Sequence, residues 1–451
     1  MSSNTHVDLP GAARKNEAME HLIRTAESQL ARLQIPVALR LPGGRLIGPA
    51  QAGVKLEFSR WPGLALLVAG KIGALAEGFV EDKIRIEGAM RDVMAVAAGL
   101  LPGNPTSSGE NSWWKNLMRR ARSAAAHSLE RDAQQIQFHY DVSDDFYALW
   151  LDPRRVYSCA YFADASMTLA QAQEAKLDHI CRKLMLRPGE KFLDIGSGWG
   201  GLLLWAAEHY GVDATGITLS RNQQAYVERL IAQKGLQNRV RVELRDYRAL
   251  EPGMQFDKIA SVGMFEHVGQ ANIGAYFKTI YQLLKPGGLV LNHGITAGGP
   301  DVGQLGSGMG DFIEKYIFPG GELIHVSHLL RETASAGLEM VDTENLRPHY
   351  ARTLWAWSDA LEAQLDAARA ALASGGHTSQ AERVLRAYRL YLAGSAMSFE
   401  KAWISLHQML SARPATGAAF DTPRGAQSPY PFTRNYMYPC SIPSSPPPLA
   451  I

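Results

Sequence analysis

The stretch SVGMFEHVG, residues 261–269, holds one carboxylic acid in otherwise apolar surroundings. Glu266 lies at the end of a run, FDKIASVGMF, that predicts a buried β-strand. An unpaired carboxylate is costly to bury, which makes Glu266 a candidate for chemistry. Taken alone it could be a general base, or it could cap the next helix or pair with a local arginine. His293 ends the next predicted strand, LVLNHGIT. It is a second candidate for chemistry, or it could be a structural histidine whose ring is hydrogen-bonded within the core.

A glycine-rich loop, FLDIGSGWGG at residues 192–201, follows another predicted strand and opens a helix. Glycine lets the backbone approach a ligand closely, and the carboxyl ends of parallel strands are the usual ligand site of an open α/β sheet. The spacing is D-x-G-x-G-x-G-G, which differs from the dinucleotide pattern and lacks the lysine of a P-loop. The loop therefore favours a nucleoside without phosphates, such as S-adenosylmethionine (SAM). Its candidate SAM-binding residues are Asp194, Gly196, Gly198, Trp199 and Gly200.

Two further strand ends carry polar residues at the same predicted sheet edge. The segment from Thr218 through Leu219 to Gln223 begins a helix with the Ser-x-x-Gln pattern of a capping box. It should lie beside the ribose and amino-acid parts of SAM, with Gln223 or another group holding the ribose, because no acid ends this strand. After the third strand, Asp246 and Tyr247 offer an acid for the adenine amine and a ring to pack on the base. Three such features at one edge favour SAM binding over a simple tight turn.

The elements that must position these residues form a regular series between residues 190 and 300. Apolar strands alternate there with amphipathic helices, which predicts an open, mostly parallel α/β sheet with helices on both faces. Residues 350–413 are predicted to be helical, in two pieces broken near ASGGHTS. The predicted domains are a flexible tail (1–20), a small N-terminal α+β domain (21–102), a linker and basic helix (103–130), a catalytic domain (131–413) and a Pro/Ser-rich, largely disordered tail (414–451).

Composition excludes some functions. The 451 residues carry a formal charge of +2, with 46 basic against 44 acidic residues, which gives no indication of nucleic-acid binding. Three cysteines fit neither a zinc site nor a disulfide framework, so we expect no metal and a reducing, cytoplasmic setting. No signal peptide or bilayer-spanning segment is predicted. The basic helix WWKNLMRRARSAAAHSLERD, residues 113–132, could lie on an anionic membrane surface or simply connect two domains.

Eight motifs, in order, together resemble one enzyme family. They are FHYDVSDDFYALWLDPRRVYSCAYF, FLDIGSGWGG, GITLSRNQ, RDYR, SVGMFEHVG, LNHGIT, KYIFPGGEL and HYARTLWAW. The family is that of the cyclopropane-fatty-acyl-phospholipid synthases, which are SAM-dependent methyltransferases. The resemblance spans about residues 130–410 and is weaker in the N-terminal domain. It implies a Rossmann-like SAM-dependent methyltransferase sheet with helical additions.

The resemblance also implies a reaction. Members add a methylene group to the cis double bond of an unsaturated acyl chain in a membrane phospholipid. The alkene attacks the SAM methyl group, a carbocation-like species forms, and loss of a proton closes the ring, with a bound bicarbonate ion as the base. The chain would accordingly be a homodimer that associates peripherally with the inner face of the membrane.

Site residues follow from the same resemblance. Those implied for the bicarbonate site are Cys159, Glu266, His293, Ile295 and Tyr350. Cys159 and Ile295 would contribute mainly backbone groups. Those implied in addition for SAM are Tyr157 and Ser158, and those implied for the acyl tunnel are Tyr316 and Phe318.

Physical reasoning agrees with such a site and leaves the product open. A cation without polar groups can be stabilised only by nearby negative charge and aromatic faces, and water must be excluded because it would trap the cation as an alcohol. The same cation gives a methyl or methylene branch if the proton leaves from elsewhere or a hydride shifts. A catalytically silent lipid-binding relative is disfavoured because the glycine loop and Glu266 are both intact.

Overall fold

The structure, a computed structural model, divides into two compact units. The described residues are 10–101, 103, 105–106, 144–251, 253–300, 305–318, 321–374, 378–415 and 430–438. The predicted basic helix at 113–132 lies outside them. The small unit comprises residues 1–107, 304–317 and 372–397, and the large unit comprises residues 108–303, 318–371 and 398–451. The small unit thus takes in two segments that the linear domain prediction assigned to the catalytic domain.

The described residues form eleven β-strands and fourteen α-helices, numbered in chain order. The strands are β1 (Val37–Arg40), β2 (Leu46–Ile47), β3 (Val54–Phe58), β4 (Ile84–Glu87), β5 (Lys191–Ile195), β6 (Asp213–Thr218), β7 (Val240–Leu244), β8 (Phe256–Val262), β9 (Leu284–Ala297), β10 (Glu339–Asn345) and β11 (Ile404–Ala412). The helices are α1 (Pro10–Leu30), α2 (Trp61–Val68), α3 (Ile72–Val80), α4 (Met90–Gly99), α5 (Asp144–Ala148), α6 (Leu169–Lys183), α7 (Gly201–Tyr210), α8 (Arg221–Gln233), α9 (Ile273–Leu283), α10 (Met309–Tyr316), α11 (Val326–Ser335), α12 (Arg347–Glu362), α13 (Leu365–Ala373) and α14 (Thr378–Glu400).

The small unit is an α+β assembly, as predicted. Its sheet has the order β2-β1-β3-β4, with β1 and β3 parallel and the other pairs antiparallel. Alternate residues of β3 are buried, the pattern of a strand with one covered face. Helix α1 begins at Pro10, so the flexible tail predicted for residues 1–20 is wrong from residue 10 onward.

The large unit is built on a seven-stranded sheet of order β10-β11-β9-β8-β5-β6-β7. The strands from β9 to β7 in that order run parallel, whereas β11 is antiparallel to both of its neighbours. Phe192 and Leu193, consecutive in β5, belong to two different apolar clusters. One cluster includes residues of α6, α7 and α8, and the other includes residues of α9 and α11. Helices therefore cover both faces, which confirms the predicted Rossmann-like α/β sheet.

One prediction about the last hundred residues is wrong. Residues 350–413 were expected to be helical throughout, but Ile404–Ala412 forms β11, which pairs with β9 along its whole length. The tail at 414–451 was expected to be largely disordered, and most of it lies outside the described residues. Within it, Tyr430–Tyr438 packs against an apolar cluster of the large unit. There Met437 is buried, and its carbonyl oxygen accepts a hydrogen bond from His179 Nδ1 at 3.0 Å. Of the helices the structure describes, none is long and apolar enough to cross a bilayer.

Candidate active site

A cleft at the carboxyl ends of β5, β6, β7 and β8 gathers the predicted SAM-binding residues. Its volume is about 1170 Å³, the open mouth included. Of the predicted residues, all except Gly200 line it: Tyr157, Ser158, Asp194, Gly196, Gly198, Trp199, Thr218, Leu219, Gln223, Asp246 and Tyr247. The parallel strands thus bring together residues that are about 90 positions apart in sequence.

The glycine loop is shaped by left-handed backbone and tied to the second strand. Gly196 has φ +80°, a region that favours glycine. The backbone N–H groups of Gly196 and Ser197 both donate to the carbonyl oxygen of Ile217 at 3.0 Å. Gly200, with φ +79°, is the N-cap of α7, and a Cβ there would lie 2.9 Å from Val227 Cγ2. Gly200 therefore serves the close packing of α7 on α8 rather than contact with the cleft.

A buried lysine, which the sequence analysis missed, lies at the β5 end of the cleft. Lys176 of α6 is 1% exposed, and its Nζ donates to Ser158 Oγ at 2.9 Å. Burial lowers the pKa of Lys176 to about 8. Burial likewise raises the pKa of Asp194 to about 7, although the charge of Lys176 opposes this. The sequence did contain a signal for this burial. Lys176 lies four residues from both Ala172 and Ile180, and this helical spacing places it on the apolar face of α6.

The second and third strand ends differ in detail from the prediction. Ser220 Oγ accepts from the backbone N–H of Gln223 at 3.3 Å, but the Gln223 side chain accepts from Thr218 Oγ1 at 2.9 Å instead of completing a capping box. Asp246 accepts three hydrogen bonds from Arg248, from its backbone N–H and its guanidinium. An adenine amine would therefore share this carboxylate with an arginine.

Glu266 lies in a short 3-10 turn, Phe265–His267, which begins three residues after the end of β8. Its Oε1 accepts a hydrogen bond from the backbone N–H of Ile295 in β9 at 2.7 Å. Its Oε2 is buried without a hydrogen-bond partner among the described residues. Burial raises the pKa of Glu266 to about 7, although the Ile295 N–H lowers it. The carboxyl group can therefore donate or accept a proton near neutral pH.

Glu322 holds the turn that carries Glu266. The backbone N–H of Glu322 donates to the carbonyl oxygen of Glu266 at 3.2 Å. The Glu322 carboxylate accepts from the backbone N–H of Gln270 at 2.7 Å. Glu322 thus bonds both to the turn itself and to the segment that follows it, which the sequence did not indicate.

His293 lies on β9, two residues before Ile295, and is 1% exposed. Gln408 of β11 places its Nε2 at 3.1 Å from His293 Nδ1. With Gln408 Nε2 as the donor of this hydrogen bond, the neutral His293 ring carries its proton on Nε2. Burial, reinforced by the charges of Lys176 and Lys183, lowers the pKa of His293 well below its ordinary value. His293 Nε2 is buried without a partner among the described residues, like Glu266 Oε2.

The other two predicted site residues are packed among apolar groups. Tyr350 lies in the first turn of α12, with its ring centroid 4.7 Å from that of Phe399 and 6.1 Å from that of Trp357. Cys159 is fully buried, with Sγ 3.2 Å from the carbonyl oxygen of Ala160. Burial raises the pKa of the Cys159 thiol well above its ordinary value. A thiol that stays protonated is a poor nucleophile, which supports a packing or backbone role.

An aromatic cluster surrounds Tyr157 at the cleft. Its ring centroid lies 5.3 to 5.5 Å from those of Tyr147, Trp150 and Trp357. Tyr147 in turn lies 4.9 Å from Trp199. The negative faces of such rings attract cations. Sequence reasoning identified Tyr157 and Trp199 but not the cluster.

The two predicted tunnel residues fall in different compact units. Tyr316 ends α10 in the small unit, where its hydroxyl donates to Glu81 Oε1 at 3.0 Å. Phe318 belongs to the large unit, where its ring centroid lies 6.0 Å from that of His267, a residue of the cleft.

The sheet with one reversed strand and the glycine-lined cleft define a SAM-dependent methyltransferase fold. The structure of coclaurine N-methyltransferase bound to N-methylheliamine and S-adenosylhomocysteine (SAH) shares this fold, with a TM-score of 0.56 at 20% identity. That match covers 78% of this chain and 99% of the other.

Sequence comparison assigns the chain to one family within this fold. The model for mycolic acid cyclopropane synthetase matches residues 127–409, and the chain belongs to this family. It is 41% identical over 411 residues to a probable fatty acid methyltransferase of Pseudomonas putida, covering 91% of this chain and 98% of the relative. It is 39% identical over 282 residues to cyclopropane mycolic acid synthase 1 of Mycobacterium tuberculosis, covering 60% and 94%. The structure of mycolic acid cyclopropane synthase CmaA1, complexed with SAH and CTAB, is 36% identical with a TM-score of 0.56, covering 62% and 98%.

Proposed function

We propose that the protein transfers a methylene carbon from SAM to the cis double bond of an unsaturated acyl chain in a membrane phospholipid, forming a cyclopropane ring. The observation that carries the proposal is the pair of buried, unpartnered atoms Glu266 Oε2 and His293 Nε2. Buried polar atoms are rarely left unpaired. Glu266 lies between Met264 and His267, both of which line the SAM cleft. A polar guest bound at Glu266 would therefore lie close to the cleft proposed for the methyl donor.

The protein's own groups suit a cationic reaction. The alkene π electrons form a bond to the SAM methyl carbon while the carbon–sulfur bond breaks, and a positive charge develops on the acyl chain. The rings of Tyr157 and Trp199 line the cleft, where an aromatic face can stabilise positive charge. Tyr147, Trp150 and Trp357 pack around Tyr157. Their bulk, together with the burial of His293 and Tyr350, keeps water from trapping the cation. Loss of a proton from the transferred methyl group then closes the ring.

The residues present fit a small oxyanion such as bicarbonate. Bound there, bicarbonate would supply the base that accepts the proton. His293 Nε2 carries a hydrogen to donate, and the raised pKa of Glu266 lets its carboxyl group donate as well. The Tyr350 hydroxyl and the backbone N–H of Cys159 would complete the proposed set. The Ile295 N–H already donates to Glu266, so it would hold the anion through that carboxyl group rather than directly.

A methyl- or methylene-branched product is the second candidate. It is favoured by the relative that matches 91% of the chain, which is named a probable fatty acid methyltransferase. The same cation serves each outcome. Proton loss from the transferred methyl group closes the ring, proton loss from a neighbouring chain carbon leaves a methyl-branched alkene, and a hydride shift followed by proton loss from the methyl group gives a methylene branch. Homodimer formation and peripheral binding to the inner face of the membrane are further parts of the proposal.

The test uses the purified chain, SAM and vesicles of monounsaturated phospholipid. Mass spectrometry of the released fatty acids should show a gain of one CH2, and proton NMR separates ring protons from those of a methyl or methylene branch. Vesicles of fully saturated phospholipid are the matched control and should stay unchanged. An unchanged monounsaturated lipid, with SAH binding intact, would contradict the proposed substrate.

A further inference from the structure

Lys176 is a buried cation that has no role in the reaction proposed above. Among the described residues, Ser158 Oγ is the one hydrogen-bond partner of its Nζ, at 2.9 Å. No carboxylate of the described residues lies within salt-bridge distance of it. Asp152 and Asp194 act on it only at longer range. A buried ammonium group is costly unless it is paired, so the arrangement calls for an anionic partner.

The anion must come from the cleft, because both Lys176 and Ser158 line it. The order β5-β6-β7 separates the ends of β5 and β7 by about 10 Å, at about 4.8 Å per strand. Asp246 and Tyr247, the candidates for adenine, follow β7. The amino-acid end of SAM would then lie at β5, beside Lys176. That end carries the only anionic group of SAM, its α-carboxylate.

We propose that Lys176, acting with the Ser158 hydroxyl that it polarises, binds the α-carboxylate of SAM, while Asp194 faces the α-amino group. This inference rests on the proposed function, since it assigns a contact for SAM. It pairs the two charges of the amino-acid end with two opposite charges of the cleft wall. Lys176 also orients Ser158, because a hydroxyl oxygen that accepts from the ammonium directs its own proton elsewhere.

Arg155 is the competing cation at the cleft. Its Nη1 lies 3.6 Å from Asp144 Oδ2, and its guanidinium packs over Tyr226 at 4.6 Å. Arg155 therefore already has a carboxylate within ion-pair distance, although its Nη1 is buried without a hydrogen-bond partner among the described residues. Lys176 has no carboxylate of the described residues within that distance. The structure thus distinguishes the two cations by what each already contacts.

The test compares two ligands by calorimetry: SAH, and its decarboxylated analogue, which retains the amine but lacks the carboxylate. Lys176→Met should weaken SAH binding about 10- to 100-fold, the range expected for losing a hydrogen bond between charged groups. It should leave the affinity for the analogue nearly unchanged. Lys176→Gln should behave in the same way, and binding of the analogue reports that each variant is folded.

Lys183→Met is the matched control. Lys183 is buried on the same helix, two turns away, but bonds to Glu344 Oε2 and does not line the cleft. Its loss should lower stability without changing the ratio of the two affinities. The inference would be overturned if Lys176→Met weakened the binding of SAH and of the analogue by the same factor. It would also be overturned if Arg155→Gln, and not Lys176→Met, removed the preference for SAH over the analogue. Failure of the wild type to bind either ligand would contradict the proposed function itself.

Discussion

Replacing Glu266 with glutamine should remove activity and raise stability at the same time. Glutamine has the same shape, and its oxygen can keep the hydrogen bond from Ile295. The variant cannot carry the negative charge or the transferable proton that the proposed site needs. We expect turnover to fall at least about 100-fold, the scale of losing a general acid–base group. SAH binding should be retained, because Glu266 does not line the cleft.

The gain in stability follows from the pKa of Glu266, which burial raises from 4.5 to about 7. Below pH 4.5 the group is protonated in the folded and unfolded chains, and glutamate and glutamine should be equivalent. Between pH 4.5 and 7 the unfolded chain ionises first, which favours unfolding of the wild type. At about 1.36 kcal/mol per pH unit, the difference between 7 and 4.5 makes the variant more stable by about 3 kcal/mol above pH 7.

The assay is urea unfolding of both proteins at pH 5 and pH 8, with turnover measured on monounsaturated vesicles. Glu228→Gln, which changes an exposed carboxylate of α8, is the matched control and should alter neither quantity. The reasoning fails if the Glu266 variant keeps full turnover. It also fails if the gain in the free energy of unfolding is the same at both pH values, because the carboxylate would then not be its source.

Three further substitutions test other parts of the structure. Glu344 is half-buried, which alone would raise its pKa, but hydrogen bonding to His179 and the charge of Lys183 lower the pKa to about 2. Glu344→Gln should therefore cost about 3 kcal/mol at pH 7 and little near pH 2, and a cost in urea unfolding that does not vary with pH would contradict this. Cys159→Ala should keep most of the turnover, because the buried thiol stays protonated; complete inactivity of a folded variant would show that the thiol takes part. Gly200→Ala should lower stability by about 1 to 3 kcal/mol, since φ is +79° and the new methyl group meets an adjacent helix. An unchanged unfolding midpoint would refute that last expectation.

The sequence could predict the parts of the site that depend on local order. The loop around Gly196 and the ends of β6 and β7 are strand-to-helix transitions, and parallel strands must bring such ends to one edge. Glu266 was detectable for a similar reason, because it is a carboxylate at the end of an apolar strand. These predictions needed no knowledge of distant contacts.

What the sequence could not predict depends on contacts between distant segments. β11 follows a long helix and was taken for its continuation, because only pairing with β9 makes Ile404–Ala412 a strand. Asp246 looked available for adenine, but its three bonds to Arg248 depend on a side-chain conformation that no pattern encodes. Lys176 was overlooked because a lysine in a helix normally indicates solvent.

The packing of Tyr430–Tyr438 on the large unit bears on how the protein should be handled. Met437 supplies the acceptor for His179, and His179 lies one helical turn from Lys176 on α6. Cutting the chain directly after β11 would leave a buried imidazole without that acceptor, close to the SAM cleft. An affinity tag or a fusion partner should therefore be joined beyond Tyr438. A preparation shortened by proteolysis in this region should be checked for SAH affinity before its activity is interpreted.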